Sequence, residues 1–167
     1  KLTEEASCIS NFDFLISFGY RYILGKEIVT TMKGKAINLH ASILPWNRGA
    51  DPNLWSFLED TPKGVSIHQV DYALDTGKIL CQKEVFFDQV DVLTLRTSYQ
   101  ILQEELVLLF LDHWEAIHSG QISPKAQRGN GSYHRLADKS PFLHLLENGW
   151  DTKVKKLERR AIDIENC

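Results

Sequence analysis

The sequence predicts an α/β fold of strands alternating with helices, and three observations carry that expectation. Phe12–Phe18 is a short, nearly continuous apolar run closed by Gly19. Such a run suits a strand buried between helical layers. Ala36-Ile37-Asn38-Leu39-His40 is a second strand-like run that turns polar where it ends. From Leu95 to Ile117, Leu95, Tyr99, Leu102, Leu106, Leu109, Phe110, Trp114 and Ile117 recur at steps of three and four, which predicts a long amphipathic helix.

The remaining elements follow in order. Lys26–Met32 reads as a short helix closed by Lys33-Gly34. Leu44–Pro52, rich in Pro, Gly and Asn, predicts an ordered loop. Asn53–Glu59 predicts a helix stopped by Thr61-Pro62. Val65–Val70 and Ile79–Phe87 are strand-like, and the Asp71–Gly77 loop between them is too long for a two-residue hairpin turn. The long helix stops at Ser119-Gly120. A polar tail follows from Gln121, ending in a helix-like stretch with Lys153, Lys155, Lys156, Arg159 and Arg160. Residues 1–120 are expected to form the core, with 121–167 an extension packed on it or on a partner subunit. A homodimer fits that expectation.

With 43% hydrophobic and 25% charged residues over 167 positions, the chain is of ordinary globular composition, which argues against disorder and fibrous repeats. A net charge of −3 disfavours a general nucleic-acid coat. No apolar run approaches the roughly 20 residues of a membrane span. Cys8, Cys81 and Cys167 are odd in number, far apart and without a CxxC, so a disulfide framework and a thiolate zinc site are disfavoured. A reducing, cytoplasmic setting is expected.

Asn38 and His40 lie two apart, so on an extended segment they point the same way. They sit where a parallel strand would end, beside which α/β proteins bind ligands. Asp75 is a carboxylate in a loop that only the fold can bring to them. An amide donor, an imidazole and a carboxylate suit acyl transfer to an amine, through oxyanion stabilisation, proton movement and orientation of the imidazole. On spacing alone, a simple hydrogen-bonded strand-end histidine is the commoner reading. A metal site of His40, His68 and Asp75 is disfavoured because no further ligand recurs at a suitable spacing, and no metal is expected.

Asn38-Leu39-His40-Ala41-Ser42-Ile43-Leu44-Pro45, then Arg48-Gly49-Ala50, then Leu74-Asp75-Thr76-Gly77 resemble the signature of the folate-dependent formyltransferases. The pattern there is N-x-H-x-S-x-L-P followed by L-D-x-G. Ala41 departs from it, where Pro is usual. The resemblance covers Phe12–Phe87, extends to the long helix, and implies a Rossmann-like, mostly parallel sheet with flanking helices. It also implies Asn38, His40 and Asp75 as the catalytic three and 10-formyltetrahydrofolate as the formyl donor. By the same resemblance Tyr22, Ile23, Leu24 and Val29 surround the pterin, and the loop with Tyr72 and Leu74 closes over it. His68 matches a site histidine of some members, and reads equally as a packed strand residue. The implied reaction is direct attack of a neutral amine on the formyl carbon, with Asp75 raising the His40 pKa. Cys81 reads as core.

The acceptor implied is a small molecule, a nucleotide-linked amino sugar. Trp46-Asn47-Arg48-Gly49-Ala50-Asp51-Pro52-Asn53, Gly131–Arg135 and Gly149–Thr152 look most like the small sugar-modifying members. Trp46 or Tyr133 would stack on a sugar or base, and Arg48 or Arg135 would pair with a pyrophosphate. Ordinary packing or surface explains these four as well. Glycinamide ribonucleotide and methionyl-tRNA are alternative acceptors, the latter disfavoured by charge and by the short tail. A formyltetrahydrofolate hydrolase and a noncatalytic module are further alternatives. Family members open with a strand-helix-strand unit that this chain lacks before Phe12, and it begins at Lys1 rather than Met. A fragment of a longer protein is therefore expected.

Overall fold

The computed structural model describes residue 9 and residues 11–165. Its centre is a four-stranded mixed sheet of β1 (Leu15–Phe18), β2 (Ala36–His40), β4 (Gly64–Gln69) and β5 (Ile79–Glu84), in the order β1-β2-β4-β5. Helix α1 (Lys26–Thr31) crosses between β1 and β2, which pair in parallel with Ser17 opposite Asn38. β4 then pairs antiparallel to β2, with Asn38 opposite His68 and His40 opposite Ser66. β5 is antiparallel to β4, with a register shift at Ile67/His68. The α/β class is as expected.

The period of two in each strand sorts the side chains into faces. Ile37 and Leu39 of β2, Val65 and Ile67 of β4, and Cys81 of β5 join Leu102, Leu106 and Leu109 of α3 (Leu95–His118) in one buried cluster. Asn38, His40, Ser66 and His68 alternate with these and face the other way. Thr94 caps α3 reciprocally: its Oγ1 accepts from the Thr97 amide (3.2 Å), and the Thr97 Oγ1 accepts from the Thr94 amide (2.9 Å). Cys81 is buried and its thiol is pushed up by burial, as a core residue should be. Cys8 and Cys167 lie outside the described residues.

The expectation that the first strand is buried on both faces fails at Ile16 and Phe18, which are 43% and 45% exposed. Helix α3 lies over β2, β4 and β5. Toward β1 it offers Trp114 and His118, whose rings meet that of Phe14 at 5.2 and 5.9 Å.

A two-residue strand β3 (Arg48–Gly49) precedes α2 (Pro52–Leu58) and pairs in parallel with β6 (Tyr133–His134). Beyond α3 the chain forms 3₁₀ segments at Leu136–Leu145, Gly149–Asp151 and Val154–Lys156, then α4 (Arg160–Glu165). Phe142, Val154 and Leu157 close a second core over Leu54, Trp55, Phe57 and Leu58 of α2. The tail is thus anchored by apolar contacts that its polar composition hides. Phe57 is 1% exposed, with Phe87 at 5.8 Å between ring centroids and the Lys63 ammonium over its face. Phe57→Ala is expected to cost about 3–5 kcal/mol in urea unfolding, and a loss under about 1 kcal/mol would contradict this packing.

Candidate active site

Asn38 and His40 project from the carboxyl end of β2, and the loop after β4 brings Asp75 to them. Asp75 has φ +54°, a left-handed conformation that turns its carboxylate back toward the sheet. Its Oδ1 accepts from Asn38 Nδ2 (3.2 Å), and its Oδ2 accepts from the Gly49 amide (2.9 Å). His40 Nδ1 lies 3.7 Å from Oδ2 and His68 Nε2 3.4 Å from Oδ1. One buried carboxylate therefore gathers an amide, two imidazoles and a backbone N–H.

The ring tautomers follow from their backbone partners. His40 Nε2 lies 3.0 Å from the Asn47 carbonyl, so that nitrogen carries hydrogen and Nδ1 is the one free to exchange a proton. His68 Nδ1 lies 2.8 Å from the Gln69 carbonyl and donates to it. Neutral His68 then takes a hydrogen bond from Asn38 Nδ2 (3.3 Å) at Nε2; when protonated, it donates there to Asp75.

Electrostatics corrects one expectation. The pKa of His40 lies below its ordinary 6.5, not above it. Burial is the largest cause and His68 adds to it; Asp75 and the Asn47 carbonyl oppose them without prevailing. For Asp75, burial alone would raise the pKa. The charge on His40, the hydrogen bond from His68 and the Gly49 amide outweigh it and hold the carboxyl well below the usual carboxylate range.

These groups line a cavity of about 700 Å³. Tyr22, Ile23 and Leu24 form one wall and Tyr72 and Leu74 another, while Val29, on α1, does not face it. The Tyr72 hydroxyl meets Thr30 Oγ1 at 3.1 Å, joining the loop to α1. Gly49, Ala50, Asp51 and Pro52 line it as well, with Tyr99, Gln103 and Leu136. Trp46, Arg48, Tyr133 and Arg135 lie off this cavity. Trp46 receives the Ser42 hydroxyl on its carbonyl (2.7 Å), Arg48 Nε reaches the Ser132 carbonyl (3.4 Å), Tyr133 lies on β6, and the Arg135 amide donates to Asp138 (2.7 Å).

Residue patterns did not single out the Tyr99–Gln103 wall, because Tyr99 also continues the apolar stripe of α3. The polar Gln103 one turn on was the available signal. Among the described residues no group of three or more His, Cys, Asp or Glu is arranged to hold a metal ion.

A formyl transferase family model matches residues 4–109. The formyltransferase PseJ from Anoxybacillus kamchatkensis, crystallised with UDP-4,6-dideoxy-4-formamido-L-AltNAc and tetrahydrofolate, superposes with a TM-score of 0.91 and 52% identity, over 96% of this chain and 84% of that one. A likely sugar N-formyltransferase from Mycobacterium tuberculosis superposes with a TM-score of 0.71 and 26% identity, over 80% of this chain and 56% of that one. The methionyl-tRNA formyltransferase of Thermodesulfovibrio yellowstonii is 38% identical over 74% of this chain and 40% of its own length. The chain spans 40–56% of the curated methionyl-tRNA formyltransferases it matches.

Proposed function

Since this chain belongs to the formyl transferase family, we propose that it transfers a formyl group from 10-formyltetrahydrofolate to the primary amine of a nucleotide-linked amino sugar. The observation that carries this reading is the convergence of Asn38, His40 and Asp75 on one cavity wall, with Gly49 as fourth partner. The likeness to a formyltransferase crystallised with a UDP-linked formamido sugar supports the choice of acceptor.

The cavity suits a flat, partly apolar donor. Tyr22, Ile23 and Tyr72 are 61%, 71% and 60% exposed around it, apolar surface that a pterin would cover. When bound, 10-formyltetrahydrofolate supplies the formyl group, and the remaining roles fall to the chain. Asn38 holds two N–H donors at the strand end and redirects one from Asp75 or His68 toward the reacting oxygen. His40, neutral near pH 7, takes up the amine's proton at Nδ1 and would return it to the donor's departing nitrogen as the formyl C–N bond there breaks, while Nε2 stays on the Asn47 carbonyl. Asp75 remains ionised and stabilises the imidazolium as it forms. Gly49–Pro52, Tyr99, Gln103 and Leu136 are the lining residues left to the acceptor once Tyr22–Leu24 hold the donor.

The methionyl-tRNA relatives favour tRNA as the second reading. A net charge of −3 counts against it, since phosphate contacts dominate RNA affinity. The test is formyl transfer from 10-formyltetrahydrofolate to UDP- and dTDP-linked amino sugars, glycinamide ribonucleotide and methionyl-tRNA, beside a control without acceptor. Turnover is expected with a nucleotide sugar, a UDP-linked 4-amino sugar first. Formate release in the control would replace transfer by hydrolysis, turnover with methionyl-tRNA alone would install the second reading, and silence throughout would sink both.

A further inference from the structure

The family match ends at residue 109, yet a segment beyond α3 grips both loops that hold Asp75 and His40. Ile79 and Lys125 exchange backbone hydrogen bonds, each 2.8 Å, which lays this segment against the start of β5. Two residues on, Gln127 Nε2 donates to the carbonyls of Asp75 (2.8 Å) and Gly77 (2.9 Å). Its Oε1 is buried without a hydrogen-bond partner among the described residues. The side chain is therefore oriented by its two donors, and reversing the amide would set oxygen against two carbonyls. The loop so held is specialised. Asp75 is left-handed, and Gly77 lies against the Gln69 carbonyl so closely that no Cβ fits.

The same segment next reaches the other loop. Gly131 passes against the Pro45 carbonyl, again leaving no room for a Cβ. Ser132 Oγ accepts from the Asn47 amide (2.9 Å) and donates to Asn47 Oδ1 (3.0 Å). Asn47 is fully buried with φ +55°, and its Nδ2 donates to Thr61 Oγ1 (2.7 Å). Its carbonyl is the acceptor that takes the His40 Nε2 hydrogen. β6 then pairs with β3, carrying the Gly49 amide that bonds Asp75, and His134 anchors the end by stacking on Trp55 at 3.8 Å.

We propose that residues 125–134 form a positioning strap, in which Gln127 sets Asp75 and Ser132, acting through Asn47, sets His40. Neither side chain lines the cavity. Both are positioning residues, and their effect on turnover rests on the formyl-transfer reading above. Their effect on the His40–Asp75 geometry does not.

Gln127→Met keeps the side chain's length and removes both donors. Ser132→Ala removes one hydroxyl, and Ser132→Thr retains it. In the full chain, Gln127→Met and Ser132→Ala are expected to lower kcat about 10- to 100-fold with KM for both substrates nearly unchanged, as for a small misplacement of reacting groups. Ser132→Thr is expected to restore near-normal kcat. An NMR titration of His40 without any substrate gives an independent readout. The charged or titratable groups facing His40 are Asp75 and His68. With Asp75 released by Gln127→Met, burial and His68 act with less opposition, and the His40 pKa moves further down. Kcat per folded molecule within about twofold of wild type in both variants would overturn the strap, as would an unmoved His40 titration in Gln127→Met. If that variant fails to fold, Ser132→Ala against Ser132→Thr decides alone. If the wild type transfers no formyl group, the titration still decides.

Discussion

Asp75→Asn is expected to reduce kcat for formyl transfer at least about 10²-fold while the chain remains folded. The native carboxylate is an acceptor at both oxygens, for Asn38 Nδ2 and for the Gly49 amide. An asparagine offers one acceptor and points its NH₂ at the other donor, so one half-buried N–H loses its partner. It also removes the negative charge 3.7 Å from His40 Nδ1, and with it the stabilisation of an imidazolium there. The ionised Asp75 contributes stability as well. Its folded pKa lies below the unfolded value of about 3.9, so that contribution is fully present at neutral pH and is lost as pH falls below that value. The variant should therefore melt lower than wild type at pH 7, and the gap should close in acid. Steady-state rates and thermal melts across pH check this, and a kcat within about threefold of wild type would remove Asp75 from the mechanism.

The second large effect is His40→Ala, also expected at about 10²-fold or more, with a distinct pH signature. Burial lowers the His40 pKa below 6.5, so the free site holds it neutral near pH 7. For wild type, kcat/KM should be level around neutrality and fall as pH drops through an apparent pKa under 6.5, because kcat/KM reports the free enzyme. In His40→Ala that limb should disappear. The sign for stability is the same: the unfolded chain takes up the proton first, so wild type loses stability as pH falls below 6.5. An unchanged limb in the variant would assign the titration to another group.

Much of the site was legible in the chain because its determinants are local. Asn38 and His40 share a face because any strand places alternate residues together, and the hydrophobic partners Ile37 and Leu39 mark the opposite, buried face. The stripe of α3 was legible for the same reason, through the helical period. The spacing of Leu74-Asp75-Thr76-Gly77 after them carried the resemblance, though not the left-handed turn that aims the carboxylate.

The candidates for acceptor binding were harder. Trp46, Arg48, Tyr133 and Arg135 were chosen by side-chain chemistry, which says what a group can bind but not where it points. None of the four lines the cavity, although Gly49, beside Arg48 on β3, does, and Tyr99, Gln103 and Leu136 contribute to its wall.

Period, composition and motif spacing by themselves determined the α/β class, the long helix, the shared face of Asn38 and His40 and the likeness to formyltransferases, since each depends on neighbours along the chain. Only the tertiary structure decided that the β2–β4 and β4–β5 pairs run antiparallel, that His40 titrates below rather than above its ordinary value, and that Gln127 and Ser132 grip the two site loops. Pairing direction, burial and contacts between residues 50 or more positions apart are set by the packed whole. Desolvation of an imidazole in particular depends on what surrounds it from every side, which no local window of residues contains.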